Sequence, residues 1–405
     1  MKQCGFFKSL FEKVFLQTLF FLVGIPAVFA VKNQEPAQIL YVGSYSDLNV
    51  LAHKPQSQGA AKGIYALNLD SRGQLSLIQT IPALNPAVIK IHPKREILYA
   101  ITENIDKNGS VLLYDILPDG RLNYKQSVAA TGKSTCYLGF NQSATKAVLV
   151  NYWDSFIDVF ALDSAGALEK KVQSFVQHKR DNYRQVQTRE DHWVNRQVGP
   201  HAHSAHFWQD RVFIPDLGEN SIFQYVSKDD GQLQLEAIVE LEEGSGPRHM
   251  VFHPQLDVAY VTNELSSTVL VAQLDKTELA QTKSRFKPLQ YSNTISPKKD
   301  QPRNYVSELA LSFDAKFLYV SNRGHDTIAV FQVNSQTGTL SKLGEFATGG
   351  KFPRHFALSP QGNWLIVANQ DSDLMTVFSR DPASGLLSEQ VTSFSVPSPN
   401  FVKFL

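Results

Sequence analysis

Cysteine is scarce in this chain: 405 residues hold only Cys4 and Cys136. Loss of the first thirty residues would leave Cys136 alone, so no intramolecular disulfide holds the fold. Charge of one sign is also missing. Lys and Arg number 39 against 38 Asp and Glu, a net +1. No sequence-wide basic field results, which argues against a nucleic-acid partner. Gly-rich phosphate loops of the P-loop or dinucleotide type are absent. His201-x-His203 is too little for a zinc site, so no metal and no cofactor are expected. Beyond the N-terminus no stretch is apolar enough to cross a bilayer, and none shows a long amphipathic helix. What is plentiful is Phe (26) and Tyr (14), in a chain that is 43% hydrophobic. That balance suits β-sheet, where aromatic side chains pack on pleated surfaces.

Residues 1–30 read as an export signal. Lys2, Lys8 and Lys13 supply a positive start broken only by Glu12. An uncharged run, Val14 to Phe29, follows, and Val28-Phe29-Ala30 is a plausible cleavage site. About 16 apolar residues are short for a membrane span and long enough for a signal core. The expected division is therefore a signal peptide at 1–30 and one domain at 31–405. The mature protein is expected to be periplasmic or secreted, monomeric and free of stable membrane insertion. A retained anchor is the competing reading of the segment, and a cytoplasmic protein follows if it is not a signal.

The turn pattern x-x-Gly-x-Leu recurs around Gly73, Gly120, Gly166, Gly231, Gly338 and Gly385, with a degenerate copy at Asp275–Leu279. Counting the degenerate copy at Glu278, the intervals are 47, 46, 65, 47, 60 and 47 residues. Glycine supplies the positive φ of a tight hairpin. Alternating runs fill each unit. In the fifth these are His249–His253, Val258–Thr262, Thr268–Leu274 and a fourth that includes Leu279. The sixth repeats them with Ser307–Ser312, Phe317–Ser321, Thr327–Val333 and Leu340–Phe346. Four antiparallel strands at a period near 47 predict an all-β, seven-bladed β-propeller. The first unit, starting at Gln38–Gly43, lacks an inner strand, and Ser398–Leu405 resembles one. The C-terminal strand is thus expected to complete the first blade and close the ring, removing exposed sheet edges.

Let strands A to D run outward from the channel. The start of A and the end of B then lie at one mouth, and the glycine turns at the other. The unusual polar residues sit at that first mouth: His201, His203 and His206 in unit four, Arg248, His249, Asn263 and Glu264 in unit five, Asn322 and Arg323 in unit six, and Arg354, His355, Asn369 and Gln370 in unit seven. The two expanded intervals place extra residues at about 170–198 and 280–304, expected as D-to-A connections rimming the same face. Candidate substrate contacts are His201, Arg354, Asn263, Asn369 and Gln370. The asparagines have a second reading as caps of the B–C turns, and His206 reads as packing.

At these residues the chain resembles the lactonase family of seven-bladed propellers, which includes the propeller-type 6-phosphogluconolactonases. The matching stretches are Val198–His206, Val212–Gly218, Gly246–Pro254, Ala259–Glu264, Leu318–Gly324 and Pro353–Phe356. The resemblance spans essentially the whole mature chain. A related propeller group closes a lactone in muconate cycloisomerisation with a His, a Glu and two Arg in the channel mouth. Carried over by motif, those are His203, Glu264, Arg248 and Arg323. The implied function is a lactone hydrolase acting on a small-molecule lactone. His203 would be base or acid, Glu264 would orient it or share the role, and the two arginines would stabilise the oxyanion; His201 is an alternative base. One feature departs from the pattern: 6-phosphogluconolactone is a cytoplasmic metabolite, yet this chain reads as exported, so either the leader is not a signal or the substrate is another lactone met outside the cytoplasm. A non-catalytic exported propeller that binds a protein or carbohydrate through the same face is the competing function. A calcium-dependent sugar lactonase fits poorly, since a mouth rich in arginine does not suit a hard cation.

Overall fold

The second strand of each blade is mostly apolar because it is covered on both faces. Val258–Asn263 is buried at every position. The outermost strands, such as Leu233–Glu240, expose much of one face and keep a polar pattern. A computed structural model describes residues 38–59, 61–179, 196–275, 285–296 and 303–405. The expected signal segment lies outside the described residues. Among those described there are 28 strands in seven four-stranded antiparallel sheets, and the only helices are two short 3₁₀ turns. No described helix is long and apolar enough to cross a membrane.

The architecture is the seven-bladed propeller, and its ring closes as expected. The last strand, Pro399–Phe404, is strand A of blade one and pairs with Gln38–Ser44, with Val42 opposite Val402 and Leu40 opposite Phe404. Leu40, Val42 and Val402 are fully buried there.

Four of the six repeated glycine turns prove to be latches between blades. All six glycines have positive φ, from 72° to 88°. The Tyr41 hydroxyl of blade one donates to the Gly120 carbonyl of blade two at 2.9 Å. Tyr260 donates to Gly338 at 2.8 Å and Tyr319 to Gly385 at 2.6 Å in the same way; Tyr99 donates to Gly166. A Cβ at Gly120 would meet Ile39 at 2.6 Å, and one at Gly385 would meet Phe317 at 2.3 Å. The glycine therefore serves the turn and the blade interface together.

Two expectations need correction. The fourth strand of blade five is Phe286–Asn293 and does not include Leu279, which lies outside the described residues. Phe286 sits opposite Leu274 as Leu340 sits opposite Val333 in blade six, and both are buried. Phe286 thus fills the place of the turn leucine. The excess assigned to 280–304 is accordingly divided by a strand. The D-to-A connection after blade five begins only at Thr294. Likewise 170–176 belongs to the strand Leu168–Val176, and that connection starts at Gln177.

Candidate active site

Register places one residue per blade at each level of the mouth. Strand A pairs with strand B at Pro247↔Asn263, Pro353↔Asn369, Pro86↔Thr102 and Thr135↔Asn151. The residue after strand B, or in blade six its last residue, therefore lies at the rim: Tyr45, Glu103, Tyr152, Leu217, Glu264, Arg323 and Gln370 in blades one to seven. The residue after each strand A anchor forms a ring one level deeper, which includes Ala87, Cys136, His203, Arg248, Arg354 and Asn400. Between the levels lies a cavity of about 600 Å³ counted with its open mouth, lined by Glu103, His203, Glu264 and three arginines among others. A smaller space of about 300 Å³ lies against the deeper ring and shares Glu103, Cys136, His203 and Arg354 with it.

Glu264 is fully buried, and three guanidinium groups surround its carboxylate. Arg323 Nη2 lies 2.8 Å and Arg248 Nε 3.0 Å from Oε2, while Arg196 Nη1 pairs with Oε1. Burial pushes the Glu264 carboxyl up, but Arg196, Arg323 and Arg248 overcome it and hold it well below the usual range. Arg196 also donates to the Tyr152 hydroxyl at 3.0 Å. Arg323 is fixed through Nη2 to the Val306 carbonyl at 3.2 Å and lies over the Phe352 ring. Phe352 itself has φ 58°, an unusual conformation for a bulky residue and a strain found most often at functional sites.

Across the cavity Glu103 accepts from the Tyr45 hydroxyl at 2.7 Å and from Ser134 Oγ at 3.1 Å. Arg354 Nη2 stands 3.8 Å from it and over the Tyr45 ring. His203 lines both spaces, packed edge-on against Tyr152 and His249. Its Nδ1 is buried without a hydrogen-bond partner. Burial, then the charge of Arg248, push its pKa well below 6.5, so it is a neutral imidazole. Burial pushes the Cys136 thiol up, which leaves no thiolate nucleophile in the cavity.

The structure brings His203, Glu264, Arg248, Arg323 and Arg354 together. It does not bring the remaining candidates to the cavity wall. His201 is fully buried and stacked on Tyr152, with Nδ1 3.0 Å from the Tyr152 carbonyl. Asn263 donates to Thr268 Oγ1 at 3.0 Å, and Asn369 to Thr376 Oγ1 at 2.9 Å. They tie strand B to strand C, as Asn322 does with Thr327. Gln370 stands behind the wall and meets His53 Nε2 at 3.2 Å. His206 packs on the Tyr137 ring beneath the site.

Sequence reasoning missed Arg196 as a site residue, along with Glu103, Tyr152 and His53. Arg196 comes from the D-to-A connection after blade three. His53 comes from the long B–C connection of blade one, which is tied to blade seven by Gln58 N–H donating to Asp373 at 3.0 Å. Glu103 and Tyr152 occupy the same column as Glu264 and Arg323, so reading the repeat by column would have found them.

Residues 39–404 match the model of the seven-bladed β-propeller lactonase family. The chain belongs to that family. It is 30% identical over 370 residues to a 6-phosphogluconolactonase of Bacillus subtilis, covering 90% of this chain and 97% of that one. A 6-phosphogluconolactonase of Formosa agariphila is also 30% identical, over 86% of this chain and 94% of its own length. Among solved structures, the periplasmic gluconolactonase of Pseudomonas aeruginosa is similar with a TM-score of 0.79 and 28% identity, across 91% of this chain and 99% of that one.

Proposed function

We propose that this chain is a 6-phosphogluconolactonase-like lactone hydrolase that opens a sugar lactone to its acid. The observation that carries the reading is the carboxylate of Glu264 held by three arginines beside a neutral, unpartnered His203 in the channel mouth. Glu264, locked as an anion, is a poor proton acceptor and acts as the anchor of the guanidinium groups. His203 is the general base. It takes a proton from water as the water oxygen bonds to the lactone carbonyl carbon. Electrons move onto the carbonyl oxygen, where the guanidinium groups of Arg248 and Arg323 stabilise the oxyanion. The ring C–O bond then breaks, and the departing alkoxide takes the proton back from His203.

Among the described residues lining the two spaces, four arginines (196, 248, 323 and 354) face two carboxylates (Glu103 and Glu264). The excess positive charge suits an anionic substrate and the carboxylate product, with Arg354 as the planar fork that receives an anionic substituent. Export follows from the leader, and the likeness to a periplasmic gluconolactonase supports it. N-terminal sequencing of the fractionated protein tests it; a chain still starting at Met1 in the cytoplasm would refute export.

The deciding assay is acid release from glucono-δ-lactone and its 6-phosphate by purified residues 31–405. Turnover above the spontaneous rate is expected, and no acceleration of any sugar lactone would overturn the reading.

A further inference from the structure

The two Pro-Arg-His motifs contribute their arginines to the mouth, but the adjacent histidines play no part in the chemistry above. Both point one level deeper, to the same carboxylate. His249 of blade five has Nδ1 2.8 Å from Glu308 Oε2, and His355 of blade seven has Nε2 3.3 Å from the same oxygen. Glu308 belongs to strand A of blade six, which lies between them.

The partners on the far side of each ring decide where the protons sit. Arg248 Nη1 lies 3.3 Å from His249 Nε2. A guanidinium only donates, so His249 Nε2 accepts and its proton is on Nδ1, directed at Glu308. The Val402 N–H donates to His355 Nδ1 at 3.4 Å, so that proton is on Nε2, again directed at Glu308. One carboxylate thus accepts from two neutral imidazoles of opposite tautomer. Groups of both signs face His249: Arg248, His203, His206, His355 and Lys90 on the positive or neutral side, Glu308 on the negative, with the Tyr137 ring at 5.3 Å.

We propose that Glu308 is a positioning residue for the active site. By fixing His249 as the Nδ1–H tautomer it keeps an acceptor facing Arg248 Nη1, and so holds the guanidinium with its Nε toward Glu264. Through His355 it ties the third blade of the cluster to the same point, next to Arg354. Partners that orient metal-binding histidines change activity by about 10- to 100-fold when lost, and an effect of that order is expected here. The kinetic part of this inference rests on the lactonase reading; the tautomer part does not.

The test uses residues 31–405 with ¹⁵N-labelled histidine, His249 being assigned from the signal lost in His249→Phe. His249 is expected to carry its proton on Nδ1 in the wild type; a proton on Nε2 would overturn the proposal whatever the enzyme turns over. In lactone assays Glu308→Leu and His249→Phe should lower kcat about tenfold or more with KM within about threefold. Glu308→Gln, whose amide oxygen still accepts both N–H groups, should recover most of kcat. A folded Glu308→Leu or His249→Phe protein with wild-type kcat would refute the positioning role. If the wild type itself opens no lactone, the functional reading fails and the tautomer measurement still decides this one.

Discussion

Glu264 and Glu103 occupy the same position in their blades, one residue past strand B, and face each other across the cavity, yet they are held in different ways. Glu264 is enclosed by three guanidinium groups. Glu103 is held by two hydroxyls, with a single arginine at 3.8 Å. The repeat supplies the position, and the neighbours decide what a carboxylate there can do. Surrounded by charge, Glu264 cannot give or take a proton and serves as a fixed counter-ion. Bonded to neutral donors, Glu103 leaves Arg354 only partly neutralised at 3.8 Å, as its proposed role toward a substrate anion requires.

The largest effect that would test this contrast is on stability. Glu264→Ala should cost about 3–5 kcal/mol because it strands buried guanidinium groups. Glu103→Ala should cost only about 1–3 kcal/mol, the scale of a buried hydroxyl left unpaired. Urea denaturation of both variants measures the difference, and equal losses would break the comparison. Next comes the division of labour among arginines. Arg248→Ala and Arg323→Ala should lower kcat about 10²-fold, as loss of oxyanion donors does, whereas Arg354→Ala should mainly raise KM; steady-state kinetics on the best lactone separates them.

A smaller effect concerns pH. A base works only when deprotonated, and the pKa of His203 is depressed, so activity is retained as pH falls through 6.5 and lost only below it. The acid limb of kcat/KM should therefore have a midpoint under 6.5, and a midpoint at or above that value would remove His203 from the role. Glu264, with a depressed pKa, contributes stability that is fully present above about pH 4.5 and lost as pH falls toward its folded value. Acid unfolding of the wild type should accordingly be steeper than that of Glu264→Gln. Smallest of all, Asn263→Ala should cost about 1 kcal/mol for one hydrogen bond and leave turnover unchanged; a large kinetic loss would put Asn263 back among the substrate contacts.

The fold was legible because its signals are local and repeated. A turn glycine, a leucine after it and short apolar runs recur with a period, and the orphan strand at Ser398–Leu405 announces the closure. The misplacement of Leu279 has a definite cause. A buried apolar residue is required opposite Leu274, but the sequence does not say which of two candidates supplies it across a polar insertion. At the site, Arg248, Glu264, Arg323 and His203 were legible because their motifs carry them. Glu103 and Tyr152 were legible in principle through the blade column. Arg196 was not, since it arrives on a connection outside the repeat, where neither period nor register says which way a side chain points. The asparagines show the opposite error. Their position at the mouth is right, but each amide N–H is directed to the threonine of the next strand, as their reading as turn caps has it.

Blade one has consequences for the order of assembly. Val42 is among the first residues of the domain to be made, yet its partner Val402 is among the last. No intermediate that lacks Pro399–Phe404 can contain a complete ring. The first blade must wait, with an open sheet edge, until that strand has been made, and such long-range pairing is slow to form.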